Sequence, residues 1–169
     1  QLKDAGFKVV LTRSEDAFVS LADRPATANK RRADLFLSLH FNAAEGSGAR
    51  GVETYCLTPA YASSTNARGD GTENGPYRGN KQNDKNMALA YQVQKALVKN
   101  LAAEDRGVRR ARFGILKSPE MHSFEIRSSR TARLPCPASW RRRLSQAVSY
   151  KRRARGSPRA VEACRHSAW

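Results

Sequence analysis

The chain has 169 residues, enough for one domain, with a net charge of +16. Its 40% apolar content lies above the range of disordered chains. No stretch approaches the ~20 apolar residues needed to span a bilayer. Three widely spaced cysteines make neither a disulfide framework nor a zinc ribbon, which excludes the small stapled scaffolds.

The opening Gln1-Leu2-Lys3-Asp4 has no start methionine and no signal-peptide pattern. It reads as the end of a helix closed by Gly6, as if the sequence begins inside a domain. Phe7–Thr12 is rich in β-formers and predicts a strand. Leu21–Arg32 has helical composition, with Ser20 as N-cap, Asp23 at the third position after it and Pro25 in the first turn. Asp34–Phe41 is a largely apolar run, as in a strand buried on both faces of a parallel sheet. Gly51–Leu57 is another strand, in which Cys56 is most simply a small buried hydrophobe.

Residues 59–84 are rich in Gly, Asn, Ser and Asp and predict a long loop, a length that is often functional. Lys85–Ala103 is the clearest helix, with Met87, Ala90, Val93, Ala96, Leu97 and Leu101 at helical spacing and Asp84 as N-cap. Residues 106–112 read as a basic connector and Phe113–Leu116 as a short strand. Alternating strands and helices predict an α/β domain with a single open, mainly parallel twisted sheet flanked by helices.

After Met121 the periodicity ends. Residues 122–169 hold 12 basic side chains against Glu125 and Glu162. Leu144–Val148 has the composition of a helical turn or two; the rest is left unassigned as a disordered or irregular basic tail. The domain expectation is therefore a partial catalytic domain over 1–121 and an arginine-rich tail over 122–169 that is not native to the fold.

His40 carries the chemistry. It stands at the carboxyl end of an apolar strand, where open α/β sheets bind ligands, and a neutral imidazole there is a good zinc ligand. On local context alone, a hydrogen-bonded histidine capping a strand is the commoner arrangement. The wider sequence reverses that preference. Gly6–Arg13, Asp16–Arg24, the Ala28-Asn29 pair and Ala33–Ala43, with its serine-x-histidine-x-asparagine ending, resemble the zinc-dependent N-acetylmuramoyl-L-alanine amidases. Gly51–Tyr55, Gly79-Asn80-Lys81, Asn86 with the helix after it, and Asp105–Arg109 with Ala111–Phe113 continue the resemblance through residue 121.

The resemblance implies hydrolysis of the amide between N-acetylmuramic acid and L-alanine in peptidoglycan, with one zinc ion held by two histidines and a glutamate. His40 matches the second histidine; the other two ligands belong before residue 1. It implies a glutamate on the last strand as general base and proton donor. Arg127 stands at that position. Glu125, two residues earlier, shares its facing but lies ~6–7 Å away along a strand, and it is the displaced candidate. A reading-frame shift near codon 121 or 122 would explain both this change and the tail.

Glu53 reads as a structural neighbour of the site, and Arg13 and Arg24 as loop ties in preference to carboxylate forks. The implied partner is peptidoglycan, with no specific nucleic acid and no transmembrane segment, for a monomer in the periplasm or cell envelope. Two rival functions stand beside hydrolysis: a non-catalytic peptidoglycan-binding module, and a nucleic-acid binder acting through the tail.

Overall fold

The structure, a computed structural model, describes residues 2–42, 50–65, 75–129 and 146–152, with residues 41–42 and 146–152 described by backbone alone. Six strands form one sheet: β1 (Phe7–Leu11), β2 (Leu35–Asn42), β3 (Gly51–Leu57), β4 (Asp105–Ala111), β5 (His122–Ser129) and β6 (Gln146–Arg152). Their spatial order is β1-β6-β2-β5-β3-β4. Helix α1 (Asp23–Lys30) follows β1, the nineteen-residue α2 (Asn83–Leu101) links β3 to β4, and the short α3 (Gly114–Lys117) precedes β5. None of the described helices is long and apolar enough to cross a membrane.

The open α/β sheet is as expected, but it is mixed and not mainly parallel. β2–β5 and β3–β4 are parallel, whereas β3–β5, β2–β6 and β1–β6 are antiparallel. The physical reason is the placement of β5 and β6. Helix α2 makes a crossover between β3 and β4, which forces that pair parallel. β5 and β6 then enter beside strands that run in both directions.

Four local expectations change. The basic connector at 106–112 is mostly strand β4. It lies at the sheet edge, where arginine side chains reach water, so it lacks an apolar pattern. Against β3 it carries one extra residue between the pairs Val52↔Asp105 and Thr54↔Val108, a bulge that Gly107 allows with φ +80°. The expected strand at 113–116 is instead α3, whose Ile115 and Leu116 are buried. Residues 122–129, left unassigned, form β5 in the sheet interior, and Gln146–Arg152 forms β6 where a helical turn was expected. The boundary at residue 121 thus cuts the sheet. Residues 130–145, including Arg141–Arg143, and residues 153–169 lie outside the described residues.

Other expectations coincide with the geometry. Gly6 (φ +87°) closes a turn in which Phe7 N–H donates to Leu2 O and Gly6 N–H to Lys3 O, both at 3.0 Å, the bond pattern of a helix C-cap. Ser20 Oγ accepts the Asp23 N–H (3.1 Å) and donates to Asp23 Oδ2 (2.7 Å), although the regular helix opens only at Asp23. Within the expected loop at 59–84, Arg78–Gln82 makes a 3₁₀ turn ahead of α2, and residues 66–74 lie outside the described residues. Gly79 is required at that turn: an added Cβ would stand 2.2 Å from the Leu116 carbonyl oxygen.

The sheet separates two cores. Toward α2, Cys56, Ala90 and Phe124 are buried with Leu35, Leu37, Met87, Val93 and Ile126 around them. Toward α1 and α3, Ala28, Phe36, Tyr55, Leu57, Leu116 and Met121 form the second cluster. The Ala28-Asn29 pair has a clear division of labour. Ala28 is fully buried, while Asn29 donates to Ser118 O (3.0 Å) and accepts the Glu120 N–H (3.1 Å), tying α1 to the entry of β5.

Candidate active site

Strand alternation decides which side chains meet. On β2, Leu35 and Leu37 face α2, so Phe36, Ser38 and His40 face the α1 side. On β5, Phe124 and Ile126 face α2, so Ser123, Glu125 and Arg127 face the α1 side. Register does the rest. His40 is paired with Arg127, and Arg127 with Glu53 on the far side; Ser38 is paired with Glu125, and Glu125 with Tyr55. His40, Arg127 and Glu53 therefore form a row across three neighbouring strands, and Ser38, Glu125 and Tyr55 form the row beneath.

The two carboxylates in these rows are buried and each is held by arginine. Glu125, 3% exposed, accepts from Arg127 Nε at 2.5 Å. Glu53, 2% exposed, takes Arg106 Nε and Arg109 Nε, both at 3.2 Å. Charge-assisted bonds of this kind are needed at such depth, because an uncompensated buried charge is strongly destabilising. The Arg127 guanidinium also lies 3.8 Å from the Phe113 ring centroid and 5.2 Å from that of Tyr55, and the two rings are 4.9 Å apart. A guanidinium this close to two aromatic rings makes cation–π contacts with them. Burial first, and then the Glu53 charge, push the Tyr55 phenol above its ordinary pKa.

Arg24 and Arg13 tie loops, as the sequence reading prefers. Arg24 Nε donates to Val19 O (3.1 Å) and Arg13 Nη1 to Ala17 O (3.2 Å). The Arg24 pKa is lowered by burial and by the neighbouring Arg13 charge, against an opposite pull from Glu125. These cations thus stand on the Glu125 side of the sheet.

Toward α2 the described side chains make different contacts. Cys56 is buried and its Sγ donates to Asn86 O (3.3 Å); burial pushes the thiol up to about 12. Gln94 accepts from Thr54 Oγ1 (2.8 Å) and donates to Val52 O (2.8 Å) and Asp105 Oδ1 (2.7 Å), locking α2 onto β3.

Among the described residues, no three His, Cys, Asp or Glu side chains come together to hold a metal ion. The described donor set is His40 with the carboxylates Glu53 and Glu125, which are already held by guanidinium groups and do not come together with it. Zinc sites take three or four nitrogen, sulfur or oxygen ligands, so the described residues do not by themselves fit that ion. The sequence reading brought His40, Glu125 and Arg127 forward and placed Glu53 beside them. It missed Arg106, Arg109, Phe113 and Tyr55, which only the cross-strand register reveals.

The family model described as N-acetylmuramoyl-L-alanine amidase matches residues 1–127, six residues beyond the resemblance read from motifs. The chain is 35% identical to the N-acetylmuramoyl-L-alanine amidase LytC of Bacillus subtilis, over 76% of this chain and 22% of LytC. It is 31% identical to the N-acetylmuramoyl-L-alanine amidase AmiC of Neisseria meningitidis, over 88% of this chain and 42% of AmiC. The catalytic domain of CwlV, an N-acetylmuramoyl-L-alanine amidase from Paenibacillus polymyxa, superposes with a TM-score of 0.52 at 25% identity, covering 70% of this chain and 52% of that one. The chain spans less than half the length of these two curated relatives. With its motifs, its His40 strand and strands β1 to β4 all inside the matched segment, this chain belongs to the N-acetylmuramoyl-L-alanine amidase family.

Proposed function

We propose that the chain carries the scaffold of a peptidoglycan hydrolase acting on the amide between N-acetylmuramic acid and L-alanine, and that in its present form it turns over little substrate. The reading rests on His40, which stands near the carboxyl end of β2 within the segment matched by the family and faces the α1 side beside β5. His40 is the one ligand we assign toward a zinc ion. Glu125 is the carboxylate we assign to proton transfer, and its bond to Arg127 occupies one of its oxygens. The setting would be the periplasm or cell envelope, with the chain acting as a monomer.

What the chain's own residues supply is positioning. Asn29 fixes α1 to the loop before β5, and Asn80 donates to Thr58 O (2.9 Å), fixing the turn before α2 to the end of β3. Arg112 binds the carbonyls of Ala62 (2.5 Å) and Pro59 (3.4 Å), so the segment after β3 is held against the end of β4.

The test is incubation of the purified chain with peptidoglycan sacculi, scoring both retention and released stem peptide. Retention with turnover at least a hundredfold below an active family member is expected. Turnover equal to such a member, with one equivalent of zinc kept after dialysis, would overturn the assignment of weak activity. The absence of both retention and release would overturn the peptidoglycan reading itself.

A further inference from the structure

We infer that Arg127 acts as a tethered internal cation that keeps divalent metal away from His40. The inference rests on the amidase reading only for the choice of zinc as probe; the argument itself comes from the geometry of β5.

Three observations carry it. First, Arg127 is the direct register partner of His40 across a parallel pair, so both side chains leave the same face at the same height. Second, its guanidinium is fixed. Nε is bonded to the buried Glu125, Cζ lies over the Phe113 and Tyr55 rings, and the side chain is only 19% exposed. An immobilised cation cannot swing aside to admit another. Third, the two buried carboxylates of this face are already committed to arginine, Glu125 to Arg127 and Glu53 to Arg106 and Arg109. A divalent ion at His40 would meet a fixed guanidinium in poorly hydrated surroundings, where repulsion is weakly screened and acts on two charges. The Glu125 carboxylate, on the same strand and face, is already bonded to that guanidinium. Arginine cannot relieve the conflict by losing its proton.

Zinc titration of the full chain by calorimetry tests this, comparing the chain, Arg127→Met and Arg127→Glu, each with and without His40→Ala. The His40→Ala arms report binding by the other histidines and cysteines, which is subtracted. In the unaltered chain, zinc binding should be the same with and without His40. Arg127→Met keeps the bulk, drops the charge and releases Glu125; it should create a His40-dependent component at least tenfold tighter. Arg127→Glu should tighten it further. Circular dichroism of each variant confirms folding, and Arg127→Gln replaces any variant that fails. His40-dependent zinc binding in the unaltered chain, equal to that of the variants, overturns the inference, and so does the absence of any gain in the folded variants. Sacculus retention, measured in parallel, reports on the amidase reading independently, since the inference survives its loss.

Discussion

Strand β5 presents two different environments from alternate residues of one eight-residue segment. Toward α2 it offers Phe124 and Ile126 to a closed apolar cluster with Cys56 and Ala90. Toward α1 it offers Glu125 and Arg127 to a row of charges that continues into Glu53, Arg106 and Arg109. The first face gains its stability from area removed from water. The second gains little net energy from its ion pairs, because desolvation offsets attraction. It gains fixed positions: each carboxylate is held by guanidinium nitrogens at defined distances. One face holds the sheet to its helix, and the other arranges charge.

Mutations on the two faces should therefore differ in size. Phe124→Ala removes a side chain 2% exposed at the centre of the α2-facing cluster and should cost about 3–5 kcal/mol, read as a lower urea midpoint with an unchanged slope. Glu53→Gln keeps the shape of its side chain but leaves Arg106 and Arg109 without their countercharge. Those arginines are about one-third exposed, so water relieves part of the loss, and about 1–3 kcal/mol is expected in the same measurement. Should Glu53→Gln cost as much as Phe124→Ala, the charged row is a structural core in its own right and the contrast between the faces fails.

The same contrast explains what the sequence could and could not reveal. β2 and α2 were legible because each carries enough apolar residues at its period to announce itself, and His40 was legible because it ends such a run. β5 was not. His122-Ser123-Phe124-Glu125-Ile126-Arg127 does alternate, but with two apolar residues among six it falls below what a pattern can separate from chance. β4 was lost for a related reason, since an edge strand rich in arginine and broken by a glycine bulge resembles a connector. The candidate site was half legible. Glu125 and Arg127 could be aligned by counting from Met121, but that Arg127 pairs with His40 on one side and Glu53 on the other is a matter of register, which depends on contacts between distant segments. Mixed strand direction was hidden likewise, because neither β5 nor β6 declares its neighbours locally.

The smallest effect belongs to a charge at the rim of the apolar face. Asp105, exposed at the start of β4, accepts from Gln94 Nε2 (2.7 Å) and from the Gly107 N–H (2.8 Å), so it holds α2 and the bulge together at the rim of the cluster. The Gln94 bond, and then that of Gly107, lower its pKa below the ordinary carboxylate value. The sign follows directly. A depressed folded-state pKa gives stability that is present above the unfolded value of about 3.9 and is lost as pH falls through the folded one. Asp105→Asn keeps an acceptor oxygen and removes the charge. The stability difference between the chain and this variant should be constant from about pH 8 to pH 5 and close progressively below about pH 4. A difference that persisted unchanged into strong acid would show that the Asp105 charge adds nothing, and that the rim of the apolar face is held by geometry alone.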